Sequence, residues 1–177
     1  MDLEKFIRTV PDFPTKGINF YDITTLFENI TTFNYIIELL FERYVTEKID
    51  KVVGIEARGF MLGAALAYKL NVGFVPIRKK GKLPYKTISE TYSLEYGEDT
   101  VEIHIDAIKK NQNILLVDDL IATGGTADAS AKLIKNLDGN IKECCFIIDL
   151  PELGGSNDLK QKGFKVFSIL SLEEKWK

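Results

Sequence analysis

The chain has 177 residues, which is enough for one domain with a full hydrophobic core. Apolar residues make up 45% and charged residues 28%, the composition of an ordinary globular protein. A net charge of −3 gives no argument for nucleic-acid binding, and we expect no nucleic-acid partner; any attraction for an anion must be local to a site. The sequence has neither a signal-peptide core nor an apolar stretch long enough to cross a bilayer, and we therefore expect no membrane partner.

The cysteines and the histidine exclude several kinds of site. Cys144 and Cys145 are adjacent in an apolar run, and neighbouring strand residues point to opposite faces, so no disulfide between them is expected. A reduced, cytoplasmic protein is the simplest expectation. The single histidine, His104, lies among apolar residues, which predicts a structural or surface role rather than a zinc cluster or a catalytic triad.

The first part of the chain alternates helices and strands. Residues 2–8 predict a short amphipathic helix, and the aromatic residues of the irregular segment that follows either pack on the core or contact a ligand. Thr31 is the predicted N-cap of a helix over about 32–48. A buried strand is predicted at 51–55, and a second helix follows it and ends near Leu70.

A cation stands at the start of that second helix. Arg58 there opposes the helix dipole, which argues against a purely structural role. Guanidinium groups bind phosphate oxygens in a bidentate manner, so Arg58 and the neighbouring amides are candidates for holding a polyanion. The basic cluster at 78–82 follows a predicted strand at 73–78 and is either a solvated charge run or a second phosphate clamp.

A hairpin interrupts the alternation of strands and helices. Residues 87–95 and 101–105 alternate as two antiparallel strands would. The excursion over 81–99 therefore predicts a mobile flap over the site. Further strands are predicted over 141–150 and 165–170, with a turn-rich polar segment between them.

The chain is organised around residues 113–126. An apolar run predicts a buried parallel strand that ends at Val117, and Asp118 and Asp119 follow directly. A loop of small residues, 122–126, then precedes a predicted helix. Ligands of parallel α/β sheets bind beyond the carboxyl ends of the strands, and the first turn of a helix attracts phosphate.

The residue types of this stretch predict a site for a phosphorylated sugar. Gly124 and Gly125 allow the backbone to approach an anion closely, and the neighbouring threonines add hydroxyl donors. The two carboxylates would repel phosphate but suit sugar hydroxyls or a metal ion. The stretch contains neither a Walker loop nor a dinucleotide fingerprint. The alternative is a strand–turn–helix without a ligand site, whose acidic residues lie on the surface.

An apolar strand, paired aspartates and Thr-Gly-Gly-Thr at this spacing resemble the phosphoribosyl pyrophosphate (PRPP) motif of the type I phosphoribosyltransferases. The other signatures resemble those of the adenine phosphoribosyltransferases in this family, in the same order, at residues 13–24, 54–60, 78–84 and 92–97. The resemblance implies a single α/β domain with a central, mostly parallel sheet flanked by helices. It also implies a small hood from about 1–30 and 150–163, and a flexible flap at about 81–99.

Members of that family transfer the 5-phosphoribosyl group of PRPP to adenine in purine salvage, forming AMP and pyrophosphate. The resemblance implies the same substrates and products here. It also implies Mg²⁺ as cofactor, held mainly through PRPP without a direct protein ligand. A homodimer is implied as well, because relatives complete or support the site across a two-fold interface.

The resemblance further implies roles for individual residues. The PRPP- and AMP-binding residues would be Asp118, Asp119, Ala122, Thr123, Gly124, Gly125 and Thr126. Pyrophosphate would be bound around a non-proline cis peptide by Glu56, Ala57, Arg58, Lys79 and Lys82, with Arg58 also catalytic. Adenine would be bound by Asn19, Phe20, Tyr21 and Leu150. Glu95 would be the catalytic carboxylate near adenine N7, with Tyr96 at the hinge of the flap.

One departure from the family pattern and two alternatives stay open. Many relatives carry arginine where this chain has Tyr21, so a side-chain role there is uncertain, although backbone recognition of adenine is unaffected. The first alternative is the same chemistry on xanthine or another 6-oxopurine, but the region around Asn19 offers no obvious lysine beyond Lys16 to face O6. The second is a PRPP-sensing regulator, whose DNA-binding extension would have no room before residue 13.

Overall fold

The computed structural model describes residues 1–13, 15–17, 19–93 and 97–172. Its first part is a short 3₁₀ helix and a small antiparallel pair of strands, β1 (Arg8–Val10) and β2 (Phe20–Asp22). Residues 2–8 therefore do not form the single predicted helix, because the backbone from Arg8 onward pairs with a second strand instead. Two helices follow, α1 (Thr24–Glu28) and α2 (Ile30–Tyr44).

The other strands of the described chain form one seven-stranded sheet in the order β5-β6-β4-β3-β7-β8-β9. They are β3 (Lys51–Ile55), β4 (Gly73–Lys79), β5 (Thr87–Ser93), β6 (Glu98–His104), β7 (Asn113–Ile121), β8 (Asn140–Asp149) and β9 (Val166–Ser171). The helices between them are α3 (Arg58–Leu70), α4 (Gly125–Asn136) and α5 (Gly155–Gln161). Strands β4, β3, β7, β8 and β9 are parallel, whereas β5 and β6 form an antiparallel hairpin at one edge. The predicted mostly parallel sheet and the hairpin are confirmed.

Strand β7 lies inside the sheet and is buried on both faces. Leu115 and Val117 pack in one core cluster with residues of α2 and α3. Ile114 and Leu116 pack in a second cluster with residues of α4. A strand covered by helices on both sides needs apolar residues at successive positions, which explains the unbroken apolar run in the sequence.

The bounds of β7 and α4 differ from the prediction in a way that matters for the site. The predicted strand ends at Val117, but β7 continues through both aspartates to Ile121. The extension forms because Leu120 and Ile121 pair with β8. Helix α4 begins at Gly125 rather than after Thr126, so the last two residues of the predicted loop belong to its first turn.

The N-cap of α2 is Asn29, and the prediction of Thr31 is wrong. The side-chain oxygen of Asn29 accepts hydrogen bonds from the backbone N–H groups of Thr31 at 2.9 Å and Thr32 at 3.4 Å. Asn29 has an extended backbone and so stands just outside the helix, where a capping side chain is needed. Thr31 already lies inside the first turn.

We expect Asn29→Ala to lower the free energy of unfolding by about 1 kcal/mol, because two N–H groups at the start of α2 lose their acceptor. For a protein of this size, that corresponds to a fall of roughly 2–4 °C in the melting temperature. Thermal and urea unfolding would measure both quantities. Thr31→Ala is the matched control, since Thr31 is exposed and takes part in the cap through its backbone. A larger loss for Thr31→Ala than for Asn29→Ala would contradict the assignment.

Candidate active site

A cavity lies where β7 passes into α4. It is lined by Asp118 and by residues 120–127, which include the whole predicted phosphate loop. Gly124 has a φ of +83°, a left-handed conformation that glycine adopts without strain, and it is the N-cap of α4. The first N–H groups of this twelve-residue helix have no partner within the helix, and they carry the positive end of its dipole. The arrangement suits an anion with several oxygens.

Asp118 and Asp119 lie inside β7, and Asp118 lines this cavity. Asp119 is only 4% exposed, and its Oδ2 lies 3.0 Å from Nε of Arg58. The pair is an ion pair without the alignment of a hydrogen bond, because within the described part of the chain Asp119 Oδ2 accepts none. Burial raises the pKa of Asp119, although the charge of Arg58 partly opposes this. Burial and the neighbouring carboxylate of Asp119 raise the pKa of Asp118 well above its ordinary value.

Arg58 reaches the aspartates because α3 starts very close to β7. Gly59 makes this approach possible, since a Cβ there would lie 2.8 Å from Asp118 Oδ1 and 2.9 Å from the carbonyl oxygen of Val117. The guanidinium carbon of Arg58 also lies 5.4 Å from the centroid of the Phe20 ring, within range of a cation–π contact. Phe20, Arg58 and Asp119 were predicted from separate motifs. They are therefore brought together near the carboxyl ends of the parallel strands.

Glu56 is held away from the cavity by the basic cluster. Its two carboxylate oxygens accept hydrogen bonds of 3.1 Å from Nε and Nη2 of Arg78, and Oε2 also accepts the backbone N–H of Lys79 at 2.9 Å. Burial raises the pKa of Glu56, but these hydrogen bonds outweigh it, so the net shift is downward. The Glu56–Ala57 peptide bond is cis, as the resemblance implies. The side chain of Glu56 thus already has a partner in Arg78.

The two lysines predicted to bind pyrophosphate differ in their surroundings. Nζ of Lys79 donates to Asp99 Oδ2 and, at 3.2 Å, to the hydroxyl of Tyr92, so it is held by both strands of the hairpin. Burial lowers the pKa of Lys79, but the hydrogen bonds to Asp99 and Tyr92 outweigh it and the net shift is upward. Lys82 is exposed, and its ammonium group has no ion-pair partner among the described residues.

The residues predicted to bind adenine come from two parts of the fold. Phe20 and Tyr21 belong to β2, and Asn19 precedes it and is exposed. Leu150 follows β8, where its N–H donates to the carbonyl oxygen of Ile121 at 3.0 Å. Tyr21 and Leu150 pack in the same hydrophobic cluster. Glu95 and Tyr96, the predicted catalytic and hinge residues of the flap, lie outside the described residues, as do Pro14 and Ile18 of the first motif.

Sequence reasoning missed two kinds of residue at this site. Asp99 falls between the two predicted strands of the hairpin, yet in the structure it belongs to β6, lies directly opposite Tyr92 and pairs with Lys79. Gly155 was part of a turn-rich segment, yet its N–H donates to the carbonyl oxygen of Ala122 in the phosphate loop, at 3.0 Å. Both contacts cross between strands or segments far apart in the chain. The only local signal was the pair of adjacent glycines, Gly154-Gly155.

A slightly larger cavity, about 160 Å³ against about 130 Å³, lies at the opposite end of the sheet. Two carboxylates, Glu47 and Glu143, line it. Glu143 is already bound by Nε and Nη2 of Arg43 at 2.8 and 2.9 Å and by the hydroxyl of Tyr44 at 2.7 Å. It lies near the amino ends of β8 and β9, away from the edge where parallel sheets bind ligands. We therefore assign the functional site to the cavity beside the aspartates.

The described residues include no helix with the length and apolar character needed to cross a membrane.

The fold and the site define a type I phosphoribosyltransferase, because an acidic pair in a central parallel strand leads into a glycine-containing loop and a helix start. The family model for the phosphoribosyl transferase domain matches residues 23–176. The chain is 55% identical to the adenine phosphoribosyltransferase of Methylobacillus flagellatus over 174 residues, which is 98% of this chain and 99% of the relative. It belongs to the phosphoribosyltransferase family, among the adenine phosphoribosyltransferases.

Solved structures agree with this assignment. The adenine phosphoribosyltransferase of Rhodothermus marinus superposes with a TM-score of 0.90 at 49% identity, covering 96% of each chain. The Saccharomyces cerevisiae enzyme has a TM-score of 0.89 at 41% identity, covering 96% of this chain and 97% of that one. That structure was solved in complex with D-2,5-dideoxy-2,5-imino-altritol 1,6-bisphosphate and adenine. The family and fold inferred from the motifs are confirmed.

We expect Asp118→Asn to raise the melting temperature at pH 7 while reducing activity. Folding raises the pKa of Asp118 through burial and the charge of Asp119, so keeping it ionised at neutral pH destabilises the folded state. This destabilisation shrinks as the pH falls from the raised pKa towards the ordinary carboxyl value, and below that value it is absent. Asparagine keeps the oxygen that accepts the Asp119 N–H at 2.9 Å.

Thermal unfolding between pH 4 and 7 would test this prediction. The advantage of Asp118→Asn over the wild type should be largest at pH 7 and should decrease steadily towards pH 4. Asp106→Asn is the control, because that carboxylate is exposed in the turn after β6. If Asp118→Asn is less stable than the wild type at pH 7, the charge of Asp118 does not destabilise the folded state and the prediction is wrong.

Proposed function

We propose that the protein transfers the 5-phosphoribosyl group of PRPP to adenine, forming AMP and pyrophosphate in purine salvage. The observation that carries this proposal is the pair of aspartates beside the phosphate loop, with Arg58 and Phe20 at the same edge of the sheet. The names of the sequence relatives and the adenine bound to the yeast enzyme support the choice of base.

The 5′-phosphate would bind to Ala122, Thr123, Gly124, Gly125 and Thr126. The N–H groups at the start of α4 and the two threonine hydroxyls would donate to its oxygens. Asp118 and Asp119 would accept hydrogen bonds from the ribose hydroxyls, and their negative charge would favour the positive charge that develops on the sugar as the C1–O bond to pyrophosphate breaks. Binding the distant phosphate tightly would position C1 for the reaction.

The leaving pyrophosphate would be stabilised by Arg58, Lys79, Lys82 and the backbone around the Glu56–Ala57 peptide. The side chain of Glu56 would act indirectly, since it holds Arg78 and the backbone of Lys79. Arg58 contributes a charge that Asp119 already orients, so its guanidinium needs little rearrangement when the polyanion binds.

The donor set of the site fits Mg²⁺ carried in with PRPP. Asp118 and Asp119 are hard oxygen donors, but Asp119 is engaged with Arg58, and the described residues contain no group of three or more His, Cys, Asp or Glu arranged around a metal. We therefore propose that the ion is held mainly by the oxygens of PRPP, near these aspartates. When bound, it would supply positive charge that offsets the charge of pyrophosphate.

Adenine would lie between the ring of Phe20 and the side chain of Leu150, and the backbone of Asn19 and Tyr21 would read its edge. Glu95 would handle the N7 proton while N9 attacks C1, and Tyr96 would sit at the hinge of a flap over about 81–99 that excludes water. The roles of Glu95, Tyr96, the hood and the flap rest on the sequence resemblance.

A competition assay among bases tests the proposed function. The purified protein, PRPP and Mg²⁺ are mixed with adenine, hypoxanthine, guanine and xanthine together, and the nucleotides formed are separated. We expect AMP to be the dominant product, because backbone groups near Asn19 and Tyr21 suit an amino-substituted edge and the segment 13–24 carries no lysine besides Lys16. If the nucleotide of a 6-oxopurine dominates, that base and not adenine is the substrate. If no nucleotide forms, the proposed transfer reaction is wrong.

Lys82 should matter more for pyrophosphate binding than Lys79. The charge of Lys79 is already engaged by Asp99, whereas Lys82 is exposed at the end of the basic cluster. We expect Lys82→Met to raise KM for PRPP by about tenfold, the size of one charge-assisted hydrogen bond, and Lys79→Met to raise it less. Steady-state kinetics with PRPP varied would measure both. If Lys79→Met causes the larger increase, Asp99 must release the lysine when substrate binds.

We also propose that the protein is a homodimer that works in the cytoplasm. Both cysteines are free and buried in β8, as suits a reducing compartment. Helix α3, which begins at Arg58, presents an apolar stripe on its outer side, with Met61 44% and Tyr68 88% exposed. A second copy of the chain covering this stripe would bury both side chains and support Arg58 from outside.

We expect Tyr68→Glu to convert the dimer to a monomer, because a carboxylate would be buried without a partner in the interface. Sedimentation velocity would measure the change. Tyr85→Glu is the matched control, since Tyr85 is a second exposed tyrosine, 55% exposed, and lies outside α3. If the wild type is a monomer, the dimer proposal is wrong. If Tyr68→Glu remains a dimer, the interface does not include this face of α3.

A further inference from the structure

The segment after β8 is joined at one end to the end of β7 and at the other end to the start of the phosphate loop. The N–H of Leu150 donates to the carbonyl oxygen of Ile121, and the N–H of Gly155 donates to that of Ala122, each at 3.0 Å. These acceptors are the last residue of β7 and the first residue of the loop. The six residues from Leu150 to Gly155 therefore lie against the loop as a brace, and we use that name for residues 150–155 below.

Contact between the brace and the loop is closest at Gly155. A Cβ built on Gly155 would lie 2.4 Å from the carbonyl oxygen of Ala122, 2.5 Å from the backbone nitrogen of Gly124 and 2.7 Å from the carbonyl carbon of Thr123. All three are backbone atoms of the loop, so no side-chain rotation can relieve the overlap. From the other side, a Cβ on Gly124 would lie 2.8 Å from Cα of Gly155. Two backbones thus pack directly on each other, without any side chain between them.

A salt bridge fixes the same two segments a few residues further on. Nζ of Lys162, just after α5, lies 3.1 Å from Oδ1 of Asp128 in the first turn of α4 and 2.6 Å from Oδ2 of Asp158. Asp128 is also paired with Lys132 at 3.0 Å. The start of α4 is therefore held by the brace through Gly155 and by the end of α5 through Lys162.

We propose that Gly155 is a positioning residue for the phosphate site: its lack of a side chain sets the place of residues 122–124 and so the direction of the N–H groups that receive the 5′-phosphate. This inference rests on the proposed function, because it assumes that the loop binds the phosphate of PRPP and AMP. A side chain at Gly155 pushes the loop backbone away from the brace. The N–H groups of the loop then no longer point at the phosphate, while the surfaces that bind the base and the ribose stay in place.

The test compares AMP with adenosine, two ligands that differ only in the phosphate. Calorimetric titration of the wild type and of Gly155→Ala with each ligand gives the ratio of the two dissociation constants. We expect Gly155→Ala to weaken AMP binding by about tenfold or more, in line with the loss of at least one hydrogen bond to a charged group, and to change adenosine binding by less than about twofold. Steady-state kinetics should show a raised KM for PRPP with a smaller change in KM for adenine.

Two glycine variants separate positioning from general damage. Gly154→Ala places a side chain in the same brace at a φ of +80°, so it strains the backbone, but its Cβ would meet no atom within 4 Å. Gly73→Ala adds a methyl group at the start of β4, 3.7 Å from the side chain of Lys51, an ordinary contact. We expect both variants to keep the wild-type ratio of AMP to adenosine binding, even where Gly154→Ala lowers the melting temperature.

The outcomes distinguish this inference from the proposed function. If the wild type binds AMP no better than adenosine, the loop is not a phosphate site and both fail. If the wild type prefers AMP and Gly155→Ala keeps that preference, or loses both ligands equally, the positioning role alone is overturned.

Should Gly155→Ala not fold, Lys162→Gln removes the second link without adding atoms. We expect that variant to reduce the preference for AMP about two- to threefold, the size of a partly exposed ion pair, and an unchanged preference there overturns the proposal.

Discussion

The site depends on placing two adjacent carboxylates, Asp119 buried and Asp118 partly buried, beside the guanidinium of Arg58. Burial alone would penalise the charge on Asp118 and Asp119, and their mutual repulsion adds to that penalty. Arg58 offsets part of it through the 3.0 Å contact with Asp119. This contact requires α3 to begin almost on top of β7, which Gly59 allows because it has no side chain. The fold thus holds two carboxylates where burial and their proximity disfavour their negative charge.

The same principle of direct backbone contact organises the phosphate loop. Gly59 packs on β7, Gly124 takes a left-handed conformation at the start of α4, and Gly155 packs on the loop from the far side. At Gly155 the absence of a side chain places backbone directly on the backbone of the loop. A loop positioned in this way has little freedom to rearrange, which is what a preorganised binding site requires.

The basic cluster illustrates how far local sequence can be interpreted. Its residues at 78–82 could be predicted to lie at the end of a strand, and they do. Their individual partners could not be predicted: Arg78 turns back to Glu56, Lys79 is bound by Asp99 and Tyr92, and Lys82 remains exposed. These partners are the residue that follows β3 and residues in both strands of the hairpin. Which lysine is available to a ligand is decided by how those strands are aligned.

The parallel sheet, the acidic pair, the glycine-containing loop and the family could be inferred from the sequence, because these features are local: an apolar run, a pair of carboxylates and glycines at short spacing. Three-dimensional packing established that β7 continues through the aspartates, that Asn29 rather than Thr31 caps α2, and that Arg58 meets both Phe20 and Asp119. It also decided the place of Gly155 against the loop. The reason is physical: strand pairing, ion pairs and backbone contacts join residues far apart in the chain, and no local pattern encodes their separation in space.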